Sequence, residues 1–228
     1  MARRSYDQYC AYARALDIVG ERWTLLVIRE LLLGPRRFSD LLDGLPGIGP
    51  NLLTARLKLL LQEGVIQRTK LPPPAASAVY ELTELGQELE RGMVGVGRWG
   101  LRFLGKRRRT DTVTFSGMIN GMRLTFDPDK AADVNETYEF RVGKNMAWAQ
   151  IRDGHLSLGL GPADNPDVVI SCDFKSFVAL ALGELDPESA LADGRLSVEG
   201  DVEAARRAGE ILALPPEYTA AGGQATSR

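Results

Sequence analysis

Up to about residue 64, and again from 83 to 104, apolar side chains recur at three- and four-residue intervals, the period of a helix with one buried face. Beyond residue 111 much of the chain alternates apolar and polar residues, the period of a half-buried strand. In "DIVGERWTLLVIRELLLGPRRF" the spacing of Trp23, Leu26, Val27, Glu30 and Leu31 predicts a helix, and Gly34-Pro35 stops it. "RFSDLLDGL" predicts one or two further turns with Ser39 as cap, and "PGIGPN" a turn that leaves Pro50 in the first turn of the next helix.

That next helix is the most informative. At about 100° per residue, Leu53, Leu57 and Leu60 share one face with Leu61 at its edge, while Asn51, Ala55, Lys58 and Gln62 lie opposite with Thr54 beside them. Gly64 ends it. "VIQRTK" and "AVYELT" then alternate as a two-stranded hairpin joined by the Pro-rich "LPPPAAS", and "TELGQELERGMVGVGRWGLRFLG" resumes a helical period with Thr83 as cap. Short helix, tight turn, second helix with a small polar face and a following hairpin make a winged helix-turn-helix plan. Such a helix fits the major groove of DNA, where short polar side chains let the backbone approach base edges and cations anchor on phosphates. The candidate contacts are Asn51, Thr54, Arg56 and Lys58, with Arg37 ahead of the helix and Lys70 on the wing. The plainer alternative is a bundle helix with a solvated face.

Charge sharpens this picture. Residues 1–110 hold 18 Lys and Arg against 11 Asp and Glu, a net of +7, and the remaining 118 residues hold 10 against 19, a net of −9. A basic half suits a polyanion and an acidic half is repelled by one, so the halves have separate work. The basic "GKRRRTD" marks the change, and the chain is expected to divide into domains at 1–110 and 111–215, with 216–228 a flexible tail.

The first half also resembles a known family. Cys10, "GERWTLLVIRELLLGPRRFSDLL", "LTARLKLLLQEGVIQR" and "VYELTELGQEL" are similar, over about residues 8 to 105, to the HxlR-type winged helix regulators of bacteria. The resemblance implies a dimeric transcription factor, with Thr54, Arg56 and Lys58 on its recognition helix. It implies too that Cys10 is a candidate redox-sensing thiol, since some members use this cysteine and Arg3, Arg4 and Arg14 stand near it in sequence; a buried small residue at a dimer interface is the other reading. Two positions depart from the family: Ala11 stands where Pro is common, and the wing strand "SAVYELT" lacks the usual preceding basic residue, leaving Lys70 to serve it.

In the second half, "TVTFSGMI", "MRLTFD", "TYEFRVG", "MAWAQIRDGHLSLGLG" and "DVVISCD" predict strands, and "FKSFVALALGEL" and "VEAARRAGEILAL" predict helices, so the fold class is α+β. "PDVVI", "GELDP" and "GRLSVEGD" resemble the sterol carrier protein type 2 domain, most closely from about Pro166 to Leu212. That resemblance implies a sheet covered by helices around an apolar tunnel, for which Phe115, Trp148, Phe174, Phe177 and Leu180 are candidate ligand-binding residues; simple core packing is the alternative for each.

No pattern asks for catalysis, a metal or a cofactor. His155, the single histidine, has no Ser-His-Asp or metal-binding company, and "GLGPADNP" does not open a helix after a strand as a phosphate loop must. Cys10 and Cys172 stand 162 positions apart with no CxxC or Cys/His spacing. Arg29 and Glu30 interrupt the longest apolar run well short of the roughly 20 residues of a membrane span. Asp7, Arg14 and Asp17 interrupt any signal-peptide core, which points to the cytoplasm. The expected function is that of a homodimeric regulator binding double-stranded operator DNA, modulated by a small hydrophobic molecule held in the second domain. The alternative is a lipid or hydrophobic-ligand carrier whose winged helix serves protein contacts.

Overall fold

The computed structural model describes residues 5–72, 76–105 and 107–212, and the fold is mixed α and β. The chain forms two compact units, Met1–Met93 and Val94–Arg228. The expected tail at 216–228 lies outside the described residues, as do Arg3, Arg4, Pro73, Pro74, Ala75 and Lys106.

The first unit carries α1 (Ala11–Val19), α2 (Thr24–Leu31), α3 (Phe38–Gly44), α4 (Pro50–Gln62), the antiparallel hairpin β1 (Ile66–Lys70) and β2 (Ala78–Leu82), and the start of α5 (Glu84–Leu101). Val27, Ile28 and Leu31 of α2, Leu41 and Leu45 around α3, Leu53, Leu57 and Leu60 of α4, and Val65, Ile66 and Leu82 of the wing form one buried cluster. Two details differ from the sequence reading. The stretch from Asp17 to Leu31 is not one helix: Gly20 to Trp23 break it, and Trp23 sits at φ 78°, a left-handed backbone that a bulky side chain adopts only under constraint. Ser39 is not the cap of α3; Arg37 is the N-cap residue, and Asp40 reaches back to accept its backbone N–H at 2.9 Å. Pro50 opens α4 as expected, because a missing N–H costs nothing in a first turn. Thr83 accepts the N–H of Gly86 at 3.2 Å and so caps α5.

One charged side chain lies inside this core. Glu30 is fully buried beside Arg29, whose Nη2 is 2.7 Å from it, and a Cβ on Gly44 would come within 2.4 Å of its Oε2, so any larger residue there would displace the carboxylate. Ahead of α3, Arg36 pairs with Tyr80 through both backbone bonds, 2.9 Å and 2.8 Å, which ties the root of α3 to the wing.

The second unit is a five-stranded sheet in the order β5-β4-β3-β6-β7, with β3 (Glu136–Val142) and β6 (Val168–Cys172) parallel and the other pairs antiparallel. Asp153 and Gly154, both at positive φ, form the two-residue turn between β4 (Asn145–Arg152) and β5 (His155–Leu160) that such a hairpin favours. Between β6 and β7 (Leu196–Gly200) come α7 (Phe174–Ala181) and α8 (Pro187–Ala192), and α9 (Val202–Leu212) follows β7. Tyr138, Phe140 and Val142 of β3 share a sheet face with Ala147, Ala149 and Ile151 of β4, and this face carries the apolar core. Phe177 of α7 meets Phe140 on it, and Arg207 of α9 bonds Glu136, so both helices cover that side. The predicted strands "TVTFSGMI" and "MRLTFD" are instead a single helix, α6 (Phe115–Thr125), whose N-cap Thr114 accepts the N–H of Gly117 at 3.1 Å.

Candidate functional site

On α4, Leu53, Leu57 and Leu60 are buried, and Asn51, Thr54, Ala55, Lys58 and Gln62 are exposed. Leucine burial fixes the rotation of the helix, so a small polar face is presented to solvent by default. Thr54 donates its hydroxyl back to the Pro50 carbonyl at 2.9 Å, a bond that commits its proton and leaves the methyl and the oxygen lone pairs for an incoming group. Arg37 and Lys70 are exposed at the head of α3 and at the end of β1.

Arg56 behaves differently. Its Nε donates to the Arg22 carbonyl at 3.0 Å and its Nη2 to Glu21 Oε2 at 2.9 Å, and its side chain is only 14% exposed. Two cations that the sequence reading left out also face solvent: Arg22, stacked over Trp23 at 5.7 Å, and Arg68, stacked over Tyr80 at 5.9 Å on the wing. The wing therefore carries an arginine as well as Lys70. The register Arg68↔Tyr80 follows from the alternation of both strands, and pairing "VIQRTK" against "AVYELT" would have revealed it.

The second candidate site is aromatic. Phe177 lies 6.0 Å from Phe115 and 6.2 Å from Phe140 by ring centroids, so α6, α7 and β3 meet at one cluster. Phe174 and Leu180 sit half-buried on the same helix as Phe177. Phe140 was absent from the sequence-based candidates, although the alternation of "TYEFRVG" puts it on the face of Tyr138 and Val142. Trp148 does not join the group. In β4 it alternates with the buried Ala147 and Ala149, so it stands on the opposite face of the sheet, where its indole covers Gly159.

The two cysteines differ. Cys10 is the N-cap residue of α1 and is exposed in the single chain. Burial, with a lesser push from Asp173, raises the Cys172 thiol to about 11, which keeps it protonated at neutral pH.

A winged helix-turn-helix unit with an exposed polar helix face, followed by a helix-covered sheet, defines a two-part protein. Sequence comparison narrows the class. The HxlR-like helix-turn-helix family matches residues 18–108, and the SCP-2 sterol transfer family matches residues 123–213. An HTH-type transcriptional regulator of Mycobacterium tuberculosis is 41% identical over 91 residues, 40% of this chain and 57% of its own length. The HTH-type transcriptional regulator YodB of Bacillus subtilis is 34% identical over 39% of this chain and 80% of its own length. The solved reduced form of YodB aligns over 42% of this chain and 95% of its own, at 32% identity and a TM-score of 0.38. The chain belongs to the HxlR-like helix-turn-helix family, and the segment after that domain matches the SCP-2 sterol transfer family. It spans 57% of the length of its mycobacterial relatives. No helix among the described residues is long and apolar enough to cross a membrane.

Proposed function

We propose that the protein is a cytoplasmic, homodimeric transcriptional regulator whose α4 reads operator DNA and whose second domain holds a small hydrophobic molecule that modulates DNA affinity. The observation that carries the reading is the exposed face Asn51, Thr54 and Lys58, opposite a fully buried leucine face, in a half of the chain with net charge +7. Asn51 and Thr54 are short enough to reach base edges, and Lys58, Arg37, Lys70 and Arg68 supply cations for phosphates on either side. Family membership and regulator relatives support the same reading. For the second domain the support is the SCP-2 match and the Phe115, Phe140 and Phe177 cluster, with Phe174 and Leu180 extending it along α7.

Replacing Lys58 by Ala is the direct test. Affinity for DNA fragments selected by the protein should fall for every sequence, and the dependence of log affinity on log salt should flatten by about one unit. Unchanged affinity and slope would put Lys58 outside the interface.

A further inference from the structure

Arg56 has the charge and the position of a phosphate contact, on the recognition helix between Asn51 and Lys58. Its geometry is that of something else. The guanidinium is spent inside the protein: one nitrogen on the Arg22 carbonyl at 3.0 Å, another on Glu21 at 2.9 Å, across 34 and 35 residues of sequence. These partners belong to the turn between α1 and α2, the same turn in which Trp23 is held at φ 78°. Trp23 also stands beside the approach to α4, since a Cβ placed on Gly47 would lie 3.6 Å from its ring. A left-handed backbone at a bulky residue persists only where its surroundings over-determine it. Here those surroundings include the recognition helix, through Arg56, and the turn that leads into it, beside Gly47.

We infer that Arg56 is a positioning residue: with Glu21 and the Arg22 carbonyl it clamps the recognition helix to the α1–α2 turn and so sets the angle at which Asn51, Thr54 and Lys58 meet DNA. This rests on the reading of α4 as the DNA-facing helix. A planar fork suits the site, because Nε and Nη2 donate in two fixed directions from separate nitrogens, whereas the three donors of an ammonium all start from one atom on a shorter stem. The clamp also accounts for an acidic residue at a surface meant for a polyanion: Glu21 holds Arg56 in place.

The clamp and a phosphate contact give opposite signs. If Arg56 bound phosphate, Arg56→Lys would keep affinity, Arg56→Ala would lower the salt slope by about one unit, and Glu21→Ala would tighten binding by removing a negative charge. For a clamp, Arg56→Lys and Glu21→Ala each weaken binding by about fivefold with the salt slope unchanged, and the double variant is no weaker than the worse single one. Glu21 is exposed enough, 43% at its side chain, that its removal leaves the fold intact, which thermal unfolding of each variant checks. The measurement uses the full chain and a duplex it selects from a random pool. Hydrogen exchange of the α4 amides in the DNA-free protein gives a second readout: both variants should speed it. Wild-type affinity in Arg56→Lys, tighter binding in Glu21→Ala, or unchanged α4 exchange in both overturns the clamp. Failure of the wild-type protein to select any DNA, with α4 exchange still faster in the variants, would instead sink the DNA reading and leave the clamp standing.

Discussion

Glu139 of β3 is almost fully buried, and two donors keep it charged: Arg141 Nε at 2.7 Å and the Ala163 backbone N–H at 2.7 Å. Burial alone would push its carboxyl up, but the Ala163 N–H and Arg141 outweigh that and hold it below the ordinary value of 4.5. A depressed value in the folded state means that the unfolded chain takes up the proton first as the medium acidifies. The stabilisation is therefore complete above the ordinary value and is lost as pH falls through the folded one. Glu139→Gln removes this dependence. In calorimetry the second unit should unfold at a lower temperature in the variant than in the wild type at neutral pH, and the gap should narrow as the medium is acidified below the ordinary carboxyl value. A gap that stays constant on acidification would assign the stabilisation to shape and not to charge.

At the scale of elements, the aromatic cluster gives the sharpest expectation, because α7 joins α6 and β3 through Phe177. Phe177→Ala should lower the stability of the second unit by about 3–5 kcal/mol, the usual loss for a buried Phe cut to Ala. The unfolding transition of the winged unit and DNA binding by the ligand-free protein should stay near wild type, and any ligand-dependent change in DNA affinity should shift. Equal loss in both transitions, read by calorimetry, would refute that separation. Most elements were legible for one reason: their burial was one-sided. Leu53, Leu57 and Leu60 announce a helix, and the alternation of "TYEFRVG" announces a strand. Failure came where a short segment satisfied both periods. "TVTFSGMI" alternates through Val113 and Phe115, yet Ser116, Ile119 and Asn120 are buried at helical spacing and Thr114 caps the first turn. Of the site residues, exposure on α4 followed from periodicity, whereas the ties of Arg56 to Glu21 and Arg22 depend on tertiary approach over more than 30 residues, which no local pattern encodes. Trp148 was placed with the wrong companions because aromatic content was read without the parity of its strand.

At the scale of the whole molecule, α1 and α5 leave apolar side chains in solvent. Tyr9, Tyr12 and Leu16 are exposed on or beside α1, and Trp99 and Phe103, exposed on or just beyond α5, meet in a tilted pair with ring centroids 4.7 Å apart. Such surfaces are what a two-fold partner would cover, and a two-fold dimer reads two half-sites about 10 base pairs apart or a multiple of that. Sedimentation at micromolar protein should show a dimer, and Trp99→Glu should shift it toward monomer and weaken binding to paired half-sites more than to one. A wild-type monomer with full affinity for paired sites would contradict this. The wing adds a constraint on the DNA itself. Because Arg36 is bonded to Tyr80 on both sides, the hairpin is in effect the outer part of a three-chain ribbon rooted at α3, and the cations at either end of that ribbon tilt as one piece. On the proposed function it would work like a caliper with its jaws locked: phosphates met by Arg37 and by the strand of Lys70 would have to come to a fixed gauge. Operators whose backbone spacing departs from that gauge would have to flex to bind, and the stiffness of base steps that no side chain touches would become part of what the protein selects.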